Sequence, residues 1–596
     1  MKRILRILIL TIGIFCFAGC GSDREETLVQ VSVMETDGVS VSDNGLWISP
    51  GSDAVFRLRL PENYALASTD YAGAYELQTF GNAVILTLRN VRVPTRVRLE
   101  LVSNSYTVHY HGNGGRAWSG GAESVLVSYS LIHHARPNTS IGTDLFHREG
   151  YTLKCWNTEP DGSGLSVGLG SRVTVEAGVP LNLYAQWVPW TDSAAFDTVP
   201  VEGGVAISAY HGNDGVVVVP ENVDGNPVVG IRAGAFKDKA LEEIVFSKTL
   251  VFVEDGAFQN CGLRTVTLFD SIESIKDGAF VDCQNLQTLH INAMEAPYGY
   301  LFRRESVYAD KIDLLILAQG QKKLVFYGGC SMWYNLDGPA MQNALGDSYR
   351  VINTAINGTV SSLVQMQILE AYMEEGDILF HTPELSSRTQ LCLVREMRDY
   401  DEHLWCGLEY NYDLFSLVDI RGMDGVFDSL THYLTKKDGG SRYEDTYQDS
   451  EYQTYLDATG SIPFFREQTY DDLADDVFLN PDYIQDENME VLEGCYEAFR
   501  AKGVRVYVSY ACVNMDAVPD DQKGNVARME ALFRDAVEKM DGPVLISRLE
   551  DFLYNRDDFY DTNYHLLSQP AYDNTVIWIR DLLARMEQDG LGEGIT

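Results

Sequence analysis

Lys322-Lys-Leu-Val-Phe-Tyr-Gly-Gly-Cys-Ser-Met-Trp-Tyr-Asn-Leu-Asp-Gly338 is the stretch that decides the fold of the C-terminal half of this chain. Its residues Leu324 to Tyr327 form a short apolar run that ends abruptly at two glycines. Such a run predicts a buried parallel strand followed by a tight turn. Ser331 then falls where a helix begins, at the sheet edge where open α/β folds bind their ligands. The Ser331 hydroxyl is therefore a candidate nucleophile, although serine at this place is also an ordinary helix cap.

The residues around this stretch alternate between β-prone and amphipathic helical segments. The predicted strands are Leu324 to Tyr327, Arg350 to Asn353, Asp377 to Phe380, Val504 to Tyr510 and Val544 to Ile546. The predicted helices are Ser361 to Glu374, Glu490 to Lys502, Val526 to Lys539 and Tyr572 to Met586. This alternation predicts a doubly wound α/β domain with a parallel sheet over residues 300–596. A long acidic, tyrosine-rich insertion from about His381 to Asp486 is interpreted as a lid or substrate-shaping region.

The whole chain is long and strongly acidic. Its 596 residues predict several domains, and its formal net charge of −40 makes phosphate backbones and anionic membrane surfaces poor partners. The sequence therefore excludes nucleic acid as a partner and favours a neutral or cationic ligand. Beyond Cys20, cysteines occur singly, so neither a zinc site nor a disulfide framework is indicated.

The first residues have the features of an export signal. Lys2, Arg3 and Arg6 precede an apolar run, which ends in Ala-Gly-Cys20. This order resembles a bacterial lipoprotein signal over residues 1–20. The resemblance implies lipidation of Cys20 and a protein anchored to the outer side of the cytoplasmic membrane, at the cell surface.

Two all-β modules come next in the sequence. Residues 27–104 contain period-two runs such as Ala54 to Leu60, which predict an antiparallel β-sandwich with one solvated face on each sheet. Residues 105–189 contain Tyr106-Thr-Val-His-Tyr-His-Gly-Asn-Gly-Gly115 and Leu183-Tyr-Ala-Gln-Trp187. This second module resembles the internalin-type B-repeat, a β-grasp-like unit of bacterial surface proteins.

A true repeat occupies residues 200–296. Gly-Ala-Phe recurs every 22 residues, ending at Phe236, Phe258 and Phe280, and a leucine and a short alternating strand follow each copy. The period and the Gly-Ala-Phe signature resemble the BspA-type leucine-rich repeats of surface antigens. Three units bury little surface, so we expect caps from residues 206–210 and from the following domain. The repeats act either as a recognition surface or as a spacer.

Three short blocks in the C-terminal domain resemble the SGNH (GDSL-type) hydrolases. They are Gly329-Cys-Ser331 with Gly338, Val351-Ile-Asn-Thr-Ala-Ile-Asn-Gly358, and Phe559-Tyr-Asp-Thr-Asn-Tyr-His565, in the family's order. The resemblance covers about half of the chain. It implies a flavodoxin-like SGNH fold in which Ser331 is the nucleophile and His565 the base. Cys330 replaces the family's Asp, and we expect its side chain to point away from the pocket of Ser331.

The remaining parts of such a site depart from the family's pattern. The family's acid lies three residues before the His, where this chain has Thr562, so Asp561 becomes the candidate that orients His565. Backbone N–H groups of Ser331 and Gly358 would be two oxyanion donors. The family's Gly-x-Asn-Asp block is replaced by Phe380-His-Thr-Pro-Glu384. The sequence therefore leaves four candidates for the third oxyanion donor: Asn357, Asn353, Thr382 and His381.

The resemblance implies a serine esterase or O-acyltransferase that acts on acyl esters of a cell-wall or extracellular glycan. Such chemistry needs no cofactor and no metal, and His381 with Glu384 is a poor metal pair because it follows a strand and lacks further ligands. The rival hypothesis is a non-catalytic adhesin that binds a surface ligand. Oligomeric state does not follow from these residues.

Overall fold

The structure, a computed structural model, describes most of the chain beyond residue 27. It describes residues 28–592 apart from 43, 62–63, 81–82, 104, 119, 131–137, 141–144, 175–179, 277, 294–306, 357, 359, 387–401, 409–410, 439–456, 458, 463–465 and 467–476. The predictions for the signal segment 1–20, Cys20 and Asn357 lie outside these residues. The described residues divide into two compact units, one made of residues up to Tyr106 together with Ser130, and the other made of Thr107–Tyr129 and the residues after 137.

The first unit is built of strands. They are β1 (Val29–Val33), β2 (Ser40–Ser42), β3 (Leu46–Ile48), β4 (Ser52–Arg59), β5 (Tyr64–Thr69), β6 (Tyr75–Phe80), β7 (Ala83–Val91), β8 (Thr95–Val97) and β9 (Leu99–Ser103). They form sheets of order β3-β1-β8, β2-β4-β7-β6 and β5-β9. Side chains of β4 alternate between exposed and buried, as predicted for a sheet with one solvated face. One detail was wrong: β1 and β8 pair in parallel, because a long connection, and not a hairpin, joins them.

The second unit begins with a mixed sheet. Its strands are β10 (Ser105–His111), β11 (Arg116–Ala117), β12 (Ser124–Ser130), β13 (Asn138–Ser140), β14 (Phe146–His147), β15 (Tyr151–Asn157), β16 (Ser166–Val167), β17 (Arg172–Thr174) and β18 (Leu181–Pro189). The five-stranded sheet has the order β12-β10-β18-β15-β16, with β10 and β18 parallel. Trp156 is fully buried and packs on Tyr110, so these two aromatic side chains form part of the core of this sheet.

The repeat region forms two parallel ladders. Its strands are β19 (Phe196–Val201), β20 (Gly204–Tyr210), β21 (Val216–Val218), β22 (Asn222–Val223), β23 (Asn226–Ile231), β24 (Glu243–Val245), β25 (Phe252–Val253), β26 (Thr265–Phe269), β27 (Ser274–Ile275) and β28 (Thr288–Asn292). One ladder has the order β21-β24-β26-β28, and the other runs through β20, β23, β25 and β27. Asp238, Asn260 and Asp282 take positive φ at the 22-residue spacing, a conformation that Asp and Asn tolerate.

A stack of aromatic rings runs through the repeats and explains the Gly-Ala-Phe signature. Phe236 and Phe258 stack at 4.8 Å between ring centroids, and Phe258 and Phe280 at 5.1 Å. Tyr210 continues the stack at one end, 5.2 Å from Phe236, and Phe427 continues it at the other, 4.5 Å from Phe280. Both expected caps are therefore present. Phe427 belongs to a helix of the C-terminal region, so the repeats and that region share one core.

The C-terminal region alternates strands and helices. The strands are β29 (Lys323–Gly328), β30 (Arg350–Asn353), β31 (Ile378–Thr382), β32 (Arg505–Val508), β33 (Val513–Asn514), β34 (Val544–Leu545) and β35 (Leu553–Tyr554). The helices are α1 (Val307–Leu317), α2 (Cys330–Asn335), α3 (Gly338–Leu345), α4 (Ser362–Tyr372), α5 (Glu402–Leu408), α6 (Val426–Asp438), α7 (Asp486–Ala501), α8 (Asn525–Lys539) and α9 (Ser568–Gln588). Short 3-10 helices span Ser193–Ala195, Tyr412–Leu417, Pro481–Tyr483, Leu549–Phe552 and Arg556–Asp558.

The main sheet of this region is parallel and has the order β30-β29-β31-β32-β34. Numbered along the chain this is 2-1-3-4-5, the order of flavodoxin-like doubly wound sheets. The order reverses between β29 and β31, so their carboxyl ends flank the crevice where such sheets bind ligands. Every residue of β29 and β31 is buried, which accounts for the apolar runs Leu324 to Tyr327 and Ile378 to Phe380.

Within the described part of the chain, no helix is both long enough and apolar enough to cross a bilayer.

Candidate functional site

Ser331 lies at the crevice between β29 and β31. It is the second residue of α2, which starts directly after β29 and the extended residue Gly329, so the predicted strand, turn and helix are all present. The Ser331 side chain is almost completely buried. Its hydroxyl donates a hydrogen bond to Oε1 of Glu384 at 2.7 Å, and its backbone N–H donates to the same oxygen at 3.1 Å. Glu384 is therefore the direct partner of the candidate nucleophile.

Glu384 reaches Ser331 because of the strand order. It follows β31, the parallel neighbour of β29, so both residues leave the sheet at the same edge. The Glu384 side chain is buried, and burial raises the pKa of its carboxyl, while the hydrogen bonds from Ser331 partly oppose the rise. Glu384 is the last residue of the segment Phe380 to Glu384, which stands in place of the Gly-x-Asn-Asp block of the resembled family.

His565 and Asp561 form a direct pair. Nδ1 of His565 lies 2.6 Å from Oδ1 of Asp561. The segment between them folds back on itself, since the N–H of Tyr560 donates to the carbonyl of His565 at 2.7 Å and Phe559 bridges to Leu566. Thr562, which stands at the family's acid position, instead accepts a hydrogen bond from the N–H of Tyr564. The turn therefore explains how an acid four residues before the histidine reaches its ring.

The His565 turn is fastened to the helix that carries Ser331. Nδ2 of Asn335 donates to the Tyr564 carbonyl at 2.9 Å, and its Oδ1 accepts from the Leu566 N–H at 2.8 Å. The His565 ring stacks on the Tyr334 ring, with centroids 3.6 Å apart and planes 5° apart. Residues three and four apart on a helix share one face. Ser331, Tyr334 and Asn335 therefore present the nucleophile and the His565 turn on the same side of α2.

The structure brings some of the predicted site residues into contact with one another and leaves others apart. Asp561 and His565 are in contact and lie against the helix of Ser331, whereas the Ser331 hydroxyl itself bonds to Glu384 and not to His565. Gly358 follows β30, the other neighbour of β29, so its turn lies at the same sheet edge as Ser331. The ends of three neighbouring strands, β30, β29 and β31, thus lie at one edge of the sheet.

Two of the alternative oxyanion donors are engaged elsewhere. The amide of Asn353 bonds to Ser461 and to the carbonyl of Met332, and its oxygen accepts from Ala355. His381 bonds to the Tyr496 hydroxyl at 2.7 Å, and burial lowers the pKa of its imidazole to about 3. His381 and Glu384 therefore face different partners. In the described residues, no group of three or more His, Cys, Asp or Glu is arranged to hold a metal ion.

The expectation for Cys330 was wrong. Its Sγ lies 3.9 Å from Oε1 of Glu384, the oxygen that also bonds to Ser331. The tight start of α2 turns both side chains towards the same carboxyl. The Cys330 side chain therefore lines the site.

A cleft opens beside Tyr334. It has a volume of about 620 Å³, and its lining includes Tyr334, Asp457, Arg466 and Tyr572. Arg466 donates to the Tyr334 carbonyl at 2.6 Å, and burial lowers the pKa of its guanidinium. Tyr334 contacts His565 and also lines this cleft, so a bound molecule there would lie close to the His565 turn.

Sequence reasoning missed the roles of Glu384, Asn335 and Tyr334. Tyr334 and Asn335 carried a usable signal, because residues three and four after Ser331 on a helix face the same way. For Glu384 the sequence carried a weaker signal. This residue comes shortly after a predicted strand, and that strand was expected to lie in the same sheet as the strand before Ser331.

A match to a family model supports the repeats. A family model described as a BspA type leucine rich repeat region matches residues 229–313 in six copies. The chain therefore carries BspA-type leucine-rich repeats. A solved structure of a leucine-rich repeat protein from T. pallidum covers 17% of this chain and 70% of that chain, at 19% identity and a TM-score of 0.13.

Two curated proteins of Evansella cellulosilytica resemble shorter parts of the chain. The one named "Putative Gly-rich membrane protein" is 28% identical over 145 residues, which is 24% of this chain and 15% of that protein. The one named "Putative membrane protein" is 36% identical over 84 residues, which is 14% of this chain and 12% of that protein. The matches thus span a small fraction of either relative.

Proposed function

We propose that the C-terminal region is an SGNH-type serine esterase or O-acyltransferase that acts on acyl esters. The 2-1-3-4-5 sheet order supports this proposal, because it puts the Ser331 hydroxyl at the crevice where flavodoxin-like sheets bind their ligands. The order of the three sequence blocks supports it independently.

The observation that carries the proposal is the attachment of the Asp561–His565 pair to the helix of Ser331. An acyl-transfer site needs a nucleophile, a base and a group that orients the base. The 2.6 Å contact fixes Nδ1 of His565 on Asp561 and leaves Nε2 as the nitrogen that can take a proton. Asn335 and Tyr334 hold that imidazole on the face of α2 that also carries Ser331.

In the proposed mechanism, the Ser331 hydroxyl turns from Glu384 towards His565 when an ester enters. Oγ then attacks the ester carbonyl, and its proton passes to Nε2 of His565. The N–H groups of Ser331 and Gly358 stabilise the oxyanion. The imidazolium returns the proton to the departing alcohol. Water completes hydrolysis of the acyl-serine, or a second hydroxyl takes the acyl group in a transfer reaction.

The proposed substrate and location follow from the rest of the chain. A signal segment ending at Cys20, a module that resembles the B-repeat, and BspA-type repeats together support a surface lipoprotein. The two relatives named as membrane proteins are consistent with that location. An acyl ester of a cell-wall or extracellular glycan is the substrate that such a protein would meet.

The experiment is turnover of p-nitrophenyl acetate by the full chain, together with covalent labelling by a fluorophosphonate, which reacts with activated serines. We expect turnover above the buffer rate and one added phosphonyl group, located on Ser331 by peptide mass mapping. Labelling of a different serine, or no labelling and no turnover, would contradict the proposal.

A second candidate function is ligand binding without catalysis, and a second cleft favours it. This cleft has a volume of about 460 Å³ and is lined by residues of the region β10 to β18 and of the repeats. Trp118 is half-exposed there and stacks on His147 at 4.2 Å, while Arg148 lies 3.8 Å above the Tyr151 ring. Aromatic faces beside a guanidinium suit a glycan, whose rings offer both apolar faces and hydroxyl groups.

Binding of soluble peptidoglycan fragments, followed by isothermal titration calorimetry, tests this candidate. We expect Trp118→Ala to weaken binding about tenfold, in line with the loss of one well-placed aromatic contact. Trp47→Ala removes a similarly exposed tryptophan of the first unit and should leave binding unchanged. Equal affinities of both variants and the wild type would show that this cleft is not the binding site.

A further inference from the structure

Glu384 holds the position that an ester's carbonyl oxygen must take in the proposed reaction. Its Oε1 accepts the Ser331 N–H at 3.1 Å, and this N–H is the first oxyanion donor of the mechanism. The same oxygen accepts the Ser331 hydroxyl at 2.7 Å. A substrate carbonyl that is attacked by Ser331 and stabilised by this N–H therefore arrives directly against the Glu384 carboxyl.

The protonation state of Glu384 decides whether this arrangement helps or hinders the reaction. An ionised carboxyl only accepts hydrogen bonds, and its charge repels a developing oxyanion a few ångströms away in a buried site. A protonated carboxyl has an O–H to donate, as asparagine has an N–H. Glu384 is compatible with oxyanion chemistry only in its neutral form.

The burial of Glu384 acts in the direction of the neutral form. Burial is the largest influence on the pKa of this carboxyl and raises it, and the hydrogen bonds from Ser331 and Cys330 act in the opposite direction. Among the described residues, the titratable groups that interact with Glu384 include the thiols of Cys330 and Cys512 and the phenols of Tyr327 and Tyr564. Burial also raises the pKa of Cys512, Tyr327 and Tyr564, so these groups stay uncharged near neutral pH.

We propose that Glu384, in its protonated form, is the third oxyanion donor of the site and takes the place of the missing asparagine. The inference rests on the proposed function. It assigns Glu384 a residue-specific role: the carboxyl moves off the Ser331 N–H as the substrate carbonyl arrives, and its O–H then donates to the oxyanion. Glu384 keeps its proton throughout, because the proton of Ser331 passes to His565.

The test compares Glu384→Gln and Glu384→Ala with the wild-type full chain, by fluorophosphonate labelling rate and ester turnover between pH 5 and 9. Gln keeps a donor and cannot ionise. We expect Glu384→Gln to stay within about tenfold of the wild type at low pH, and Glu384→Ala to lose about 10²–10³-fold, the usual cost of one oxyanion donor. The wild type should lose rate as the pH rises through the Glu384 pKa, and Glu384→Gln should not. Glu375→Gln changes an exposed glutamate before β31 and serves as control.

Two kinetic results would overturn the proposal. If Glu384→Gln is as slow as Glu384→Ala, the carboxylate acts as a base that accepts the Ser331 proton. If Glu384→Ala is as fast as the wild type, the residue has no part in the reaction.

Thermal unfolding supplies a readout that does not depend on activity. If the pKa of Glu384 is higher in the folded than in the unfolded protein, protonation of this carboxyl stabilises the wild type. The stabilisation is complete below the ordinary carboxyl pKa of about 4.3 and is lost as the pH rises through the folded-state pKa. The Tm of Glu384→Gln minus that of the wild type should therefore increase with pH. A constant difference would refute the neutral carboxyl. If the difference rises with pH but the protein shows neither labelling nor turnover, the carboxyl is neutral and the proposed function has failed. The donor role of Glu384 then fails only because there is no reaction for it to assist.

Discussion

Ser331→Ala is expected to lower ester turnover by about 10⁴- to 10⁶-fold, the loss that follows removal of the nucleophile in serine hydrolases. The variant should fold, since it removes one buried hydroxyl and leaves the backbone N–H that bonds to Glu384. Initial rates on p-nitrophenyl acetate at saturating substrate measure the effect. Fluorophosphonate labelling should disappear in the same variant.

Ser416→Ala is the matched control for this loss. The Ser416 hydroxyl bonds to the carbonyl of Asp413 within its own turn, at 2.6 Å, so its removal should not alter turnover. Undiminished turnover by Ser331→Ala would show that the hydroxyl serves only its hydrogen bond to Glu384, and the binding function at the aromatic cleft would then stand alone.

His565→Ala is expected to lower turnover by a comparable factor, because the variant lacks the imidazole that takes the Ser331 proton in the proposed mechanism. Asp561→Asn should cost about 10⁴-fold, since an amide favours the wrong imidazole tautomer. The effects of substitutions within one catalytic unit are not additive. The double variant that combines His565→Ala with Ser331→Ala should therefore turn over the ester no more slowly than Ser331→Ala alone. Steady-state kinetics at a fixed pH measure all three variants.

His432→Ala is the matched control for the histidine. His432 is exposed on α6, and its removal should leave turnover within about twofold of the wild type, as for ordinary surface substitutions. Equal rates of His565→Ala and His432→Ala would leave Glu384 as the base and would contradict the proposed role of the imidazole.

Much of the C-terminal fold could be predicted from local sequence. The buried run Leu324 to Tyr327 lies within β29, and the predicted second strand coincides with β30, Arg350–Asn353. Apolar runs that stop at glycines and amphipathic runs of helical period both report on burial, which is repeated along each element. The 22-residue repeat could be predicted equally well from the sequence, because each coil must bury a phenylalanine at the same position against its neighbours.

The partners of Ser331 could not be predicted in this way. Glu384 lies 53 residues away from it along the chain and His565 much farther, so their proximity depends on the order of strands in the sheet. Asn335 illustrates the same limit, since its two hydrogen bonds to the His565 turn span 229 and 231 residues. No local pattern encodes such pairs.

The sequence by itself determined the elements of this protein: the repeat unit, the alternating α/β segments, and a serine at the end of a buried strand. Only the tertiary structure decided which groups meet that serine, because strand order brings the ends of β29 and β31 together. That order placed a buried carboxyl, and not an amide, on the hydroxyl. The physical reason is that periodicity records how each segment is buried, whereas contacts between distant segments are set by the packing of the whole sheet.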